Sequence, residues 1–359
     1  MKICLISVEI FAWGKYGGFG RSTRMIGREL SLRGIDVTAV VPRRGAQKPV
    51  EELDGIKVLG FEPANPFSAI ELYRQADADI YHSQEPSFGT YLAQYVKPKR
   101  KHIITFRDTR NTKDWWIEFL YPSKNSLQVL SNILYENNFL VSRAVCQADA
   151  LFSASKSIQD KAKKKYRLKK DVVFLPSPVP FSEKGEKSKS PLVIFLGRFD
   201  RRKRPHKFFD LAKEFPHVHF LAMGAGRDPV WQKELEEKYA KQKNLELLGF
   251  INQFDEDGLS KLLSEAWILI NTSKREGLPT SFIEAAGHKC AILSNINADN
   301  FSEKFGYHVK DDDFRKGLAF LLENNRWQEK GKKGYAYVKN LFSVEKAMEK
   351  HIEIYEGLI

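Results

Sequence analysis

Short apolar runs alternate with charged, amphipathic runs along most of the chain. Runs of the first kind are typical of strands covered on both faces of a sheet. Between them the apolar residues have helical spacing, as in the segment 23–32, where Ile26 and Leu30 are four residues apart. Such alternation of strands and helices predicts a parallel sheet. The strand candidates of the first half are Ile3–Val8, Asp36–Val41, Ile56–Phe61, Asp79–His82, His102–Phe106 and Ala150–Ser153.

The alternation is interrupted near residue 180. Leu175–Pro180 contains three prolines and continues neither a helix nor a central strand, and the polar segment Ser182–Ser190 favours a linker. We therefore predict two α/β domains, 1–180 and 181–340, with a ligand site in the cleft between them. A C-terminal helix over 341–359 is expected to pack back toward the N-terminal domain. The strand candidates of the second domain are Leu192–Leu196, Val218–Met223, Leu245–Leu248, Trp267–Asn271 and Ala291–Ser294.

Composition places the chain among soluble globular proteins. Of its 359 residues 42% are hydrophobic, enough for two full cores, yet no apolar run is long enough to cross a bilayer. The opening segment Met1–Val8 lacks the cleavage pattern of a signal peptide, so we interpret it as a buried first strand. The cysteines Cys4, Cys146 and Cys290 are far apart and odd in number, which fits a reducing, cytoplasmic setting without a disulfide framework.

The formal charge of +13 points to one of three partner classes: nucleic acid, an anionic lipid surface, or phosphorylated ligands. The segment Lys156–Lys170 holds eight lysines and arginines. We interpret it as a solvated helix face, with a docking face for anionic headgroups as the alternative. Tyr166 is its one aromatic residue, and this scarcity of stacking side chains argues against nucleic acid.

A glycine-rich segment, Gly14–Arg21, lies between the first strand and the first helix. Glycines such as Gly17 and Gly18 allow a ligand to approach the backbone closely, and a helix N-terminus favours an anion. The segment therefore predicts a phosphate-facing loop, although a tight turn without a ligand explains it equally well. Its spacing differs from that of the dinucleotide-binding fingerprint.

A basic loop follows the first strand of the second domain. Six of the ten residues from Arg198 to Lys207 are lysine or arginine, directly after Gly197. The carboxyl ends of strands are where α/β sheets bind ligands, and arginine and lysine contact phosphate oxygens. Arg198 and Lys203 could thus neutralise a diphosphate. The alternative is a solvated basic loop.

A third segment, Asn271–Gly287, runs from a strand end into a helix that we expect to begin near Pro279. The free backbone amides at such a helix start can hold phosphate oxygens. Glu276 precedes the helix and Glu284 lies within it. Carboxylates beside a phosphate site need hydroxyl partners, which predicts sugar or ribose hydroxyls. The alternative is that Glu276 caps the helix and Glu284 lies on a solvated face.

These residues resemble a known family. Glu276 and Glu284, separated by seven residues, resemble the E-x7-E motif of retaining GT-B glycosyltransferases of family 4. Other segments resemble further elements of that family in the same order along the chain. They are the glycine loop (Gly17, Gly18), the domain linker (Leu175–Val179), the donor-diphosphate element (Gly197, Arg198, Lys203) and a glycine turn near the nucleotide (Gly224–Gly226).

The resemblance implies a GT-B fold, with two Rossmann-like α/β domains facing across a cleft. It also implies retaining transfer of a sugar from a nucleoside-diphosphate sugar to a glycan, lipid-linked or small-molecule acceptor, without a cofactor or metal ion. In this scheme the cations neutralise the departing diphosphate, Glu276 contacts the donor sugar and Glu284 holds the ribose. The implied catalytic residues are Glu276, Arg198 and Lys203, and the donor-binding residues are Gly17, Gly18, Gly277, Leu278, Pro279, Thr280 and Glu284.

One position departs from the family pattern. Members often have a histidine after the fifth strand, where this chain has Arg107. Arginine stays protonated and cannot act as a base, but it could hold an acidic group of the donor or acceptor. His82, Gly224 and Phe250 are further cleft candidates, although a lone histidine at a strand end is more often structural.

The acceptor side has one unusual segment, the aromatic stretch Asp114–Pro122. Aromatic residues bind sugar faces and membrane interfaces, while core packing of an amphipathic helix is the alternative. Together with Lys156–Lys170, this stretch permits a lipid-linked acceptor and peripheral contact with an anionic membrane at its inner face. Competing functions are a nucleotide-sugar epimerase, a basic nucleic-acid-binding protein, and a donor-binding relative without catalysis. No nucleic-acid partner is expected, because no recognised binding module is present.

Overall fold

The computed structural model describes residues 1–14, 16–181, 185–254 and 258–359, which form two compact units. Residues 182–184 of the predicted linker and Lys15 of the glycine-rich segment lie outside the described residues. The segment 112–129, which the sequence analysis included in the N-terminal domain, groups with the second unit. Unit 1 consists of Met1–Asn111, Leu130–Val179 and Phe342–Ile359, and unit 2 of Thr112–Val129 and Pro180–Leu341.

Unit 1 is built on one sheet with the strand order β3-β4-β2-β1-β5-β6-β7-β8. Each neighbouring pair is parallel except the antiparallel pair of β3 and β4. The order reverses between β1 and β5, so the loops after these two strands diverge and leave a crevice at the carboxyl edge. The strands are β1 (Lys2–Ile6), β2 (Asp36–Pro42), β3 (Val50–Leu53), β4 (Ile56–Phe61), β5 (Ile80–Ser83), β6 (Lys101–Phe106), β7 (Ala150–Ser153) and β8 (Val172–Phe174).

Unit 2 has a fully parallel sheet with the order β11-β10-β9-β12-β13-β14. Here the order reverses between β9 and β12, which places the expected ligand crevice at the carboxyl ends of these two neighbours. The predicted α/β fold class with parallel sheets is therefore confirmed. The strands are β9 (Leu192–Leu196), β10 (His219–Met223), β11 (Leu245–Gly249), β12 (Ile268–Asn271), β13 (Ala291–Ser294) and β14 (Gly306–His308).

Helices connect the strands and cover both sheets. None of them, within the described ranges, is both long enough and apolar enough to cross a membrane. They are α1 (Gly18–Leu32), α2 (Ala69–Ala76), α3 (Phe88–Val96), α4 (Thr112–Leu120), α5 (Ser126–Glu136), α6 (Phe139–Gln147), α7 (Lys156–Tyr166), α8 (Pro205–Glu214), α9 (Pro229–Tyr239), α10 (Gly258–Glu265), α11 (Thr280–Gly287), α12 (Phe301–Phe305), α13 (Phe314–Leu322), α14 (Arg326–Phe342) and α15 (Val344–Glu356).

The C-terminal helix α15 is part of the core of unit 1. Its Met348 and Tyr355 pack in one buried cluster with Leu5 of β1 and with Ile26 and Leu30 of α1. Ile26 and Leu30 are the pair whose spacing predicted this helix, and α1 begins five residues earlier than the segment 23–32 suggested. The apolar face of α15 therefore completes the layer that covers one side of the sheet.

A buried hydrogen-bond network also fixes α15. The Tyr355 hydroxyl lies 2.7 Å from Nδ1 of His82 and 3.3 Å from Nδ1 of His351, and His351 Nε2 lies 3.1 Å from the carbonyl of Pro176. The other ring nitrogen of His82 lies 2.7 Å from the Thr105 hydroxyl. Both nitrogens of His82 are thus occupied at a fully buried position, which is the structural role considered for a lone histidine at a strand end.

Burial makes this network sensitive to acid. Burial lowers the pKa of His82 well below its ordinary value, and burial with the nearby Arg107 charge lowers the pKa of His351 from 6.5 to about 3. Both rings are therefore neutral in the folded protein at pH values where the unfolded chain already binds protons. The stability from the neutral rings is fully present above pH 6.5 and is lost as the pH falls toward 3.

We predict that His351→Gln flattens the dependence of unfolding free energy on pH between pH 6 and pH 4 by up to about 1.4 kcal/mol per pH unit, the value for one proton. Urea unfolding at a series of pH values measures this slope. His219→Gln, at an exposed position of unit 2, is the matched control and should keep the slope of the unaltered chain. An unchanged slope in His351→Gln would contradict the prediction.

Candidate functional site

Two loops lie side by side at the carboxyl edge of unit 2. One follows β9 and carries Arg198 and Lys203, and the other follows β12 and carries Glu276. Because β9 and β12 are parallel neighbours, both loops leave the same edge of the sheet. The backbone amide of Lys274 donates to the carbonyl of Arg202 at 2.9 Å, which ties the two loops together.

An ion pair joins the two loops at their side chains. Lys203 Nζ lies 2.6 Å from Oε1 of Glu276, and each side chain is only 15% exposed. The same carboxylate accepts hydrogen bonds from Asn271 Nδ2 at 2.9 Å and from the Ser273 hydroxyl at 2.6 Å. Two of the predicted catalytic residues are thus brought into direct contact, and Glu276 does not cap the following helix.

This environment keeps Glu276 ionised. Burial alone would raise its pKa, but the Lys203 charge and the hydrogen bonds from Asn271, Lys203 and Ser273 outweigh burial and lower the pKa to about 2. The carboxylate is therefore negative at any physiological pH and is held in one orientation. It can accept hydrogen bonds from hydroxyl groups but cannot serve as a general acid.

Arg198 is the second predicted cation of the β9 loop. Its Nη2 lies 3.2 Å from the fully buried carboxylate of Asp200, while the Arg198 side chain stays one-quarter exposed. Asp200 therefore orients a guanidinium group that solvent, or a ligand, still reaches. The role of Asp200 was not predicted from the sequence, although the residue lies within the basic run.

Helix α4 attaches to this pair of loops through a second ion-pair network. Arg275 Nη1 lies 2.9 Å from Oε1 of Glu118, Arg275 Nε lies 3.0 Å from Oδ1 of Asp114, and Arg202 also pairs with Glu118. The Arg275 side chain is only 3% exposed. Arg202 and Arg275 directly precede Lys203 and Glu276 in the chain, so one carboxylate of α4 binds both loops beside the central ion pair.

The segment from Gly277 to Thr280 brings the chain into α11. Pro279 is the cap residue and the helix begins at Thr280, one residue after the position that the sequence suggested. Glu284 in the next turn is 2% exposed, so it does not lie on a solvated face. The backbone carbonyl oxygen of Glu284 lies 2.8 Å from Nδ1 of His288.

Gly224 directly follows β10 and lies beside the β9 loop, in the segment predicted to be a glycine turn near the nucleotide. It has φ +152°, and a Cβ at this position would lie 1.9 Å from the carbonyl oxygen of Gly197. Only glycine fits such an approach. The amide of Gly224 donates to the carbonyl of Gly249 at 2.7 Å. Phe250, which follows Gly249 in the chain, is exposed.

In unit 1, the glycine-rich segment encloses a carboxylate. The amide of Gly20 donates to Oε1 of Glu9 at 3.0 Å, and a Cβ on Gly17 would lie 2.0 Å from the same oxygen. Gly18 is the first residue of α1. The first turn of this helix therefore binds the Glu9 carboxylate, a group that was not predicted from the sequence.

Arg107 lies at the carboxyl edge of the unit 1 sheet, beyond β6, and is buried. Its guanidinium group donates to Ser177 and Gln84, and its backbone amide donates to Oε2 of Glu85 at 2.6 Å. Burial raises the pKa of Glu85 to about 7, against the opposing effect of hydrogen bonds from the amides of Arg107 and Asp108. Glu85 is a titratable group of this edge that sequence reasoning did not identify.

Across the described ranges, no group of three or more histidine, cysteine, aspartate or glutamate side chains has a geometry that could hold a metal ion. The charged groups at the carboxyl edge of unit 2 are instead paired acids and bases. The lysine and arginine side chains there can contact phosphate oxygens, and the Glu276 carboxylate can contact hydroxyl groups.

Comparison with known families decides the class of protein. The model of the glycosyl transferases group 1 family matches residues 177–334, and that of glycosyltransferase family 4 matches residues 16–183. The chain belongs to these glycosyltransferase families. This glycosyltransferase has the GT-B fold and acts on a nucleotide-sugar donor. The predicted resemblance to GT-B glycosyltransferases of family 4 is confirmed.

Individual relatives are distant in sequence. The glycosyltransferase is 22% identical over 267 residues to the capsular polysaccharide biosynthesis glycosyltransferase CapH of Staphylococcus aureus. The aligned region covers 70% of this chain and 69% of CapH. Sucrose-phosphate synthase from Thermosynechococcus elongatus superposes with a TM-score of 0.76 at 16% identity, over 99% and 98% of the two chains. Anabaena HepE in complex with UDP-glucose gives a TM-score of 0.76 at 14% identity, over 100% of both chains.

The α4 network leads to a prediction for the stability of unit 2. Glu118→Gln removes the charge shared by Arg202 and Arg275 and leaves two buried cations undercompensated. We expect a loss of about 3 kcal/mol in unfolding free energy. Urea unfolding measures this loss. Glu323→Gln breaks an exposed ion pair with Arg326 and is the matched control, with an expected loss below about 1 kcal/mol. Equal losses in the two variants would refute the role of α4.

Proposed function

We propose that this glycosyltransferase transfers a sugar, with retention of the anomeric configuration and without a metal ion, from a nucleoside-diphosphate sugar to a glycan acceptor. The Lys203–Glu276 ion pair at the switch point of unit 2 carries the proposal. It combines a cation suited to phosphate oxygens with an ionised carboxylate suited to sugar hydroxyls. The family membership, together with the E-x7-E spacing of Glu276 and Glu284, supports the retaining outcome.

In the proposed reaction, the bond between the anomeric carbon and the β-phosphate oxygen breaks while the acceptor hydroxyl oxygen bonds to the same face of that carbon. The hydroxyl proton passes to the departing phosphate oxygen. Arg198 and Lys203 stabilise the negative charge that develops on the diphosphate, and the backbone amides of residues 278 and 280 add fixed dipoles. These cationic side chains supply the charge compensation that a metal ion would otherwise provide.

The carboxylates have different proposed roles. Glu276 binds donor-sugar hydroxyls close to the anomeric carbon, where its negative charge also favours the oxocarbenium-like transition state. Glu284, buried one helical turn into α11, binds the donor ribose. Gly224 lets the β10 turn approach the β9 loop closely enough to form one wall for the nucleotide, with Phe250 beside it.

The acceptor is proposed to be a growing surface polysaccharide. The similarity to CapH, a glycosyltransferase of capsular polysaccharide biosynthesis, supports this class. In unit 1, Arg107 and Glu85 are proposed to face acceptor groups, in place of the histidine that many family members have at this edge. A lipid-linked form of the acceptor is consistent with the exposed aromatic residues of α4.

The donor site is tested by thermal shift with UDP, GDP, ADP and CDP in the presence of EDTA. We expect one nucleoside diphosphate to raise the melting temperature, since a ligand of the folded state stabilises it. Arg198→Ala and Lys203→Ala should weaken that binding by roughly 10- to 100-fold, the effect of losing a charged hydrogen bond. Each shift is referred to the variant's own melting temperature, because Lys203→Ala also leaves Glu276 unpaired.

Lys207→Ala is the matched control for this experiment. Lys207 belongs to the same basic run but pairs with Asp312 at 3.0 Å, so its loss should leave nucleotide binding unchanged. A lack of response to every diphosphate, or an equal loss of binding in Lys207→Ala, would remove the support for the proposed donor site.

The reaction itself is tested on the donor identified in this way. Nuclear magnetic resonance of the product should show the anomeric configuration of the donor, and activity should survive EDTA. Glu276→Gln should lower kcat by about 100-fold or more, because the neutral amide keeps the shape but not the charge. Glu237→Gln, on the exposed side of α9, is the control and should keep full activity. An inverted product, or a requirement for added metal, would disprove the corresponding part of the proposal.

A further inference from the structure

The buried arginine at the carboxyl edge of the unit 1 sheet has no ion-pair partner among the described residues. Arg107 is 6% exposed, and its guanidinium group donates to the neutral oxygens of Ser177 and Gln84. Arg204 and Arg275, two buried arginines of unit 2, each pair with a carboxylate. Arg107 differs from them, because its charge is withdrawn from water without a bound counter-charge.

Glu85 is close to Arg107 but does not neutralise the guanidinium group. Oε2 of Glu85 accepts hydrogen bonds from the backbone amides of Arg107 at 2.6 Å and of Asp108 at 3.0 Å. Burial raises the pKa of Glu85 to about 7, so this group is partly protonated at neutral pH. Burial also lowers the pKa of Arg107 to about 10, which leaves the arginine charged. The positive charge at this edge is therefore not fully compensated.

Hydrogen-bond donors beside this charge are unused. Nε of Arg107 and the side-chain nitrogen of Gln84 are buried and have no hydrogen-bond partner in the part of the chain that the structure describes. Unsatisfied buried donors are rare in native proteins, because each costs free energy that water would otherwise supply. Their position beside an uncompensated cation indicates a site for a negatively charged acceptor of hydrogen bonds.

The unused donors lie where the fold of unit 1 places a ligand crevice. Gln84 directly follows β5 and Arg107 directly follows β6, so both lie at the carboxyl ends of neighbouring strands. β5 is also one of the two strands between which the order of this sheet reverses. Ligands of α/β sheets bind beside such a reversal, so a ligand in this crevice meets the edge that carries Arg107.

The neighbouring charges restrict the ligand to a single negative charge. The charged side chains that act on Glu85 or lie beside it include Arg107, Arg110, Lys165, Asp108 and Glu136. Both acids pair with Arg110, at 3.4 Å and 2.7 Å. With Glu85 protonated, three cations face two acids, which leaves one positive charge in excess. A carboxylate balances this excess, whereas a phosphate monoester brings close to two negative charges and a hydroxyl group brings none.

We propose that Arg107 and Gln84 form a subsite for the carboxylate of an acidic acceptor sugar, so that the acceptor glycan contains uronic acid residues. The planar guanidinium group can hold a carboxylate through two parallel hydrogen bonds. A charged acceptor forms the stronger hydrogen bond, so the carboxylate displaces a neutral oxygen that Arg107 binds in the free protein. This inference rests on the proposed function, because it assigns the class of the acceptor in that reaction.

The test is a ligand-observed nuclear magnetic resonance titration of the full chain without donor. The salt concentration is about 0.15 M, at which charges more than about 8 Å apart are largely screened. The probes are the methyl glycosides of glucuronic, galacturonic and mannuronic acid, each compared with its neutral hexose counterpart. We expect at least one uronic acid glycoside to bind roughly 10- to 100-fold more tightly than its neutral counterpart, the effect of a charged hydrogen bond.

Arg107→Gln should abolish this preference. A purely structural defect would weaken both members of each pair equally, so the ratio of the two affinities isolates the contact with the carboxylate. Arg107→Lys keeps the charge without the planar fork and should retain a smaller preference, which provides the reading if Arg107→Gln does not fold. Arg74→Gln removes an exposed charge that pairs with Glu71 and is the matched control, with the full preference expected.

Three results would overturn the proposal: no preference for any uronic acid glycoside, an unchanged preference in Arg107→Gln, or tighter binding of glucose 6-phosphate than of the glucuronic acid glycoside. The last result would assign the subsite to a phosphate group. The thermal-shift experiment with nucleoside diphosphates keeps this test separate from the proposed reaction. A chain that responds to a nucleoside diphosphate but prefers no acidic sugar would keep the proposed donor site and lose the acidic acceptor.

Discussion

The buried ion pair between Lys203 and Glu276 sets the geometry of unit 2. Two charges withdrawn from water must be held close together and fully hydrogen-bonded, or the cost of removing them from water exceeds their attraction. Asn271 and Ser273 donate hydrogen bonds to Oε1 of the carboxylate, and the backbone hydrogen bond from Lys274 to Arg202 links the two loops. The ion pair can form because β9 and β12 are direct neighbours, at the point where the strand order reverses.

The same constraint explains how neighbouring elements are placed. Arg202 directly precedes Lys203 in the chain, and Arg275 directly precedes Glu276. The positive charges of the two arginines would repel each other and Lys203 without a counter-charge. Glu118 and Asp114 of α4 provide it, so a helix that lies within the N-terminal half of the sequence groups with unit 2. On the other side of β9, Gly224 permits the turn after β10 to approach Gly197 without a clash. At the carboxyl edge of the unit 2 sheet, the acids of α4 thus pair with the arginines, and Gly224 allows the turn after β10 to pack against the β9 loop.

Much of this could be predicted from the sequence because local patterns govern it. Central strands that are buried on both faces appear in the sequence as apolar runs. The basic loop after β9 and the polar segment after β12 were therefore correctly predicted to begin at strand ends. The edge strands β3, β8 and β14 were not predicted, since Val50–Leu53 contains two glutamates and the other two strands are only three residues long. The α4 network was also invisible, because Glu118 and Arg275 are 157 positions apart and no local pattern connects them. The Glu9 carboxylate was missed for a different reason: only the three-dimensional path of the glycine-rich segment places the helix start against it.

The position of α15 in the core of unit 1 has a consequence for biosynthesis. Translation produces most strands and helices of unit 1 first, yet Met348, His351 and Tyr355 of the same unit follow Pro180–Leu341 of unit 2 in the chain. Until then, the apolar side of β1 and α1 lacks its cover and His82 lacks one of its hydrogen-bond partners. The first unit to be synthesised is therefore the last to be completed, and unit 2 can be fully formed while unit 1 still awaits its final helix. A nascent chain stopped before residue 342 would carry an unfinished core, an exposed apolar surface of the kind that chaperones bind.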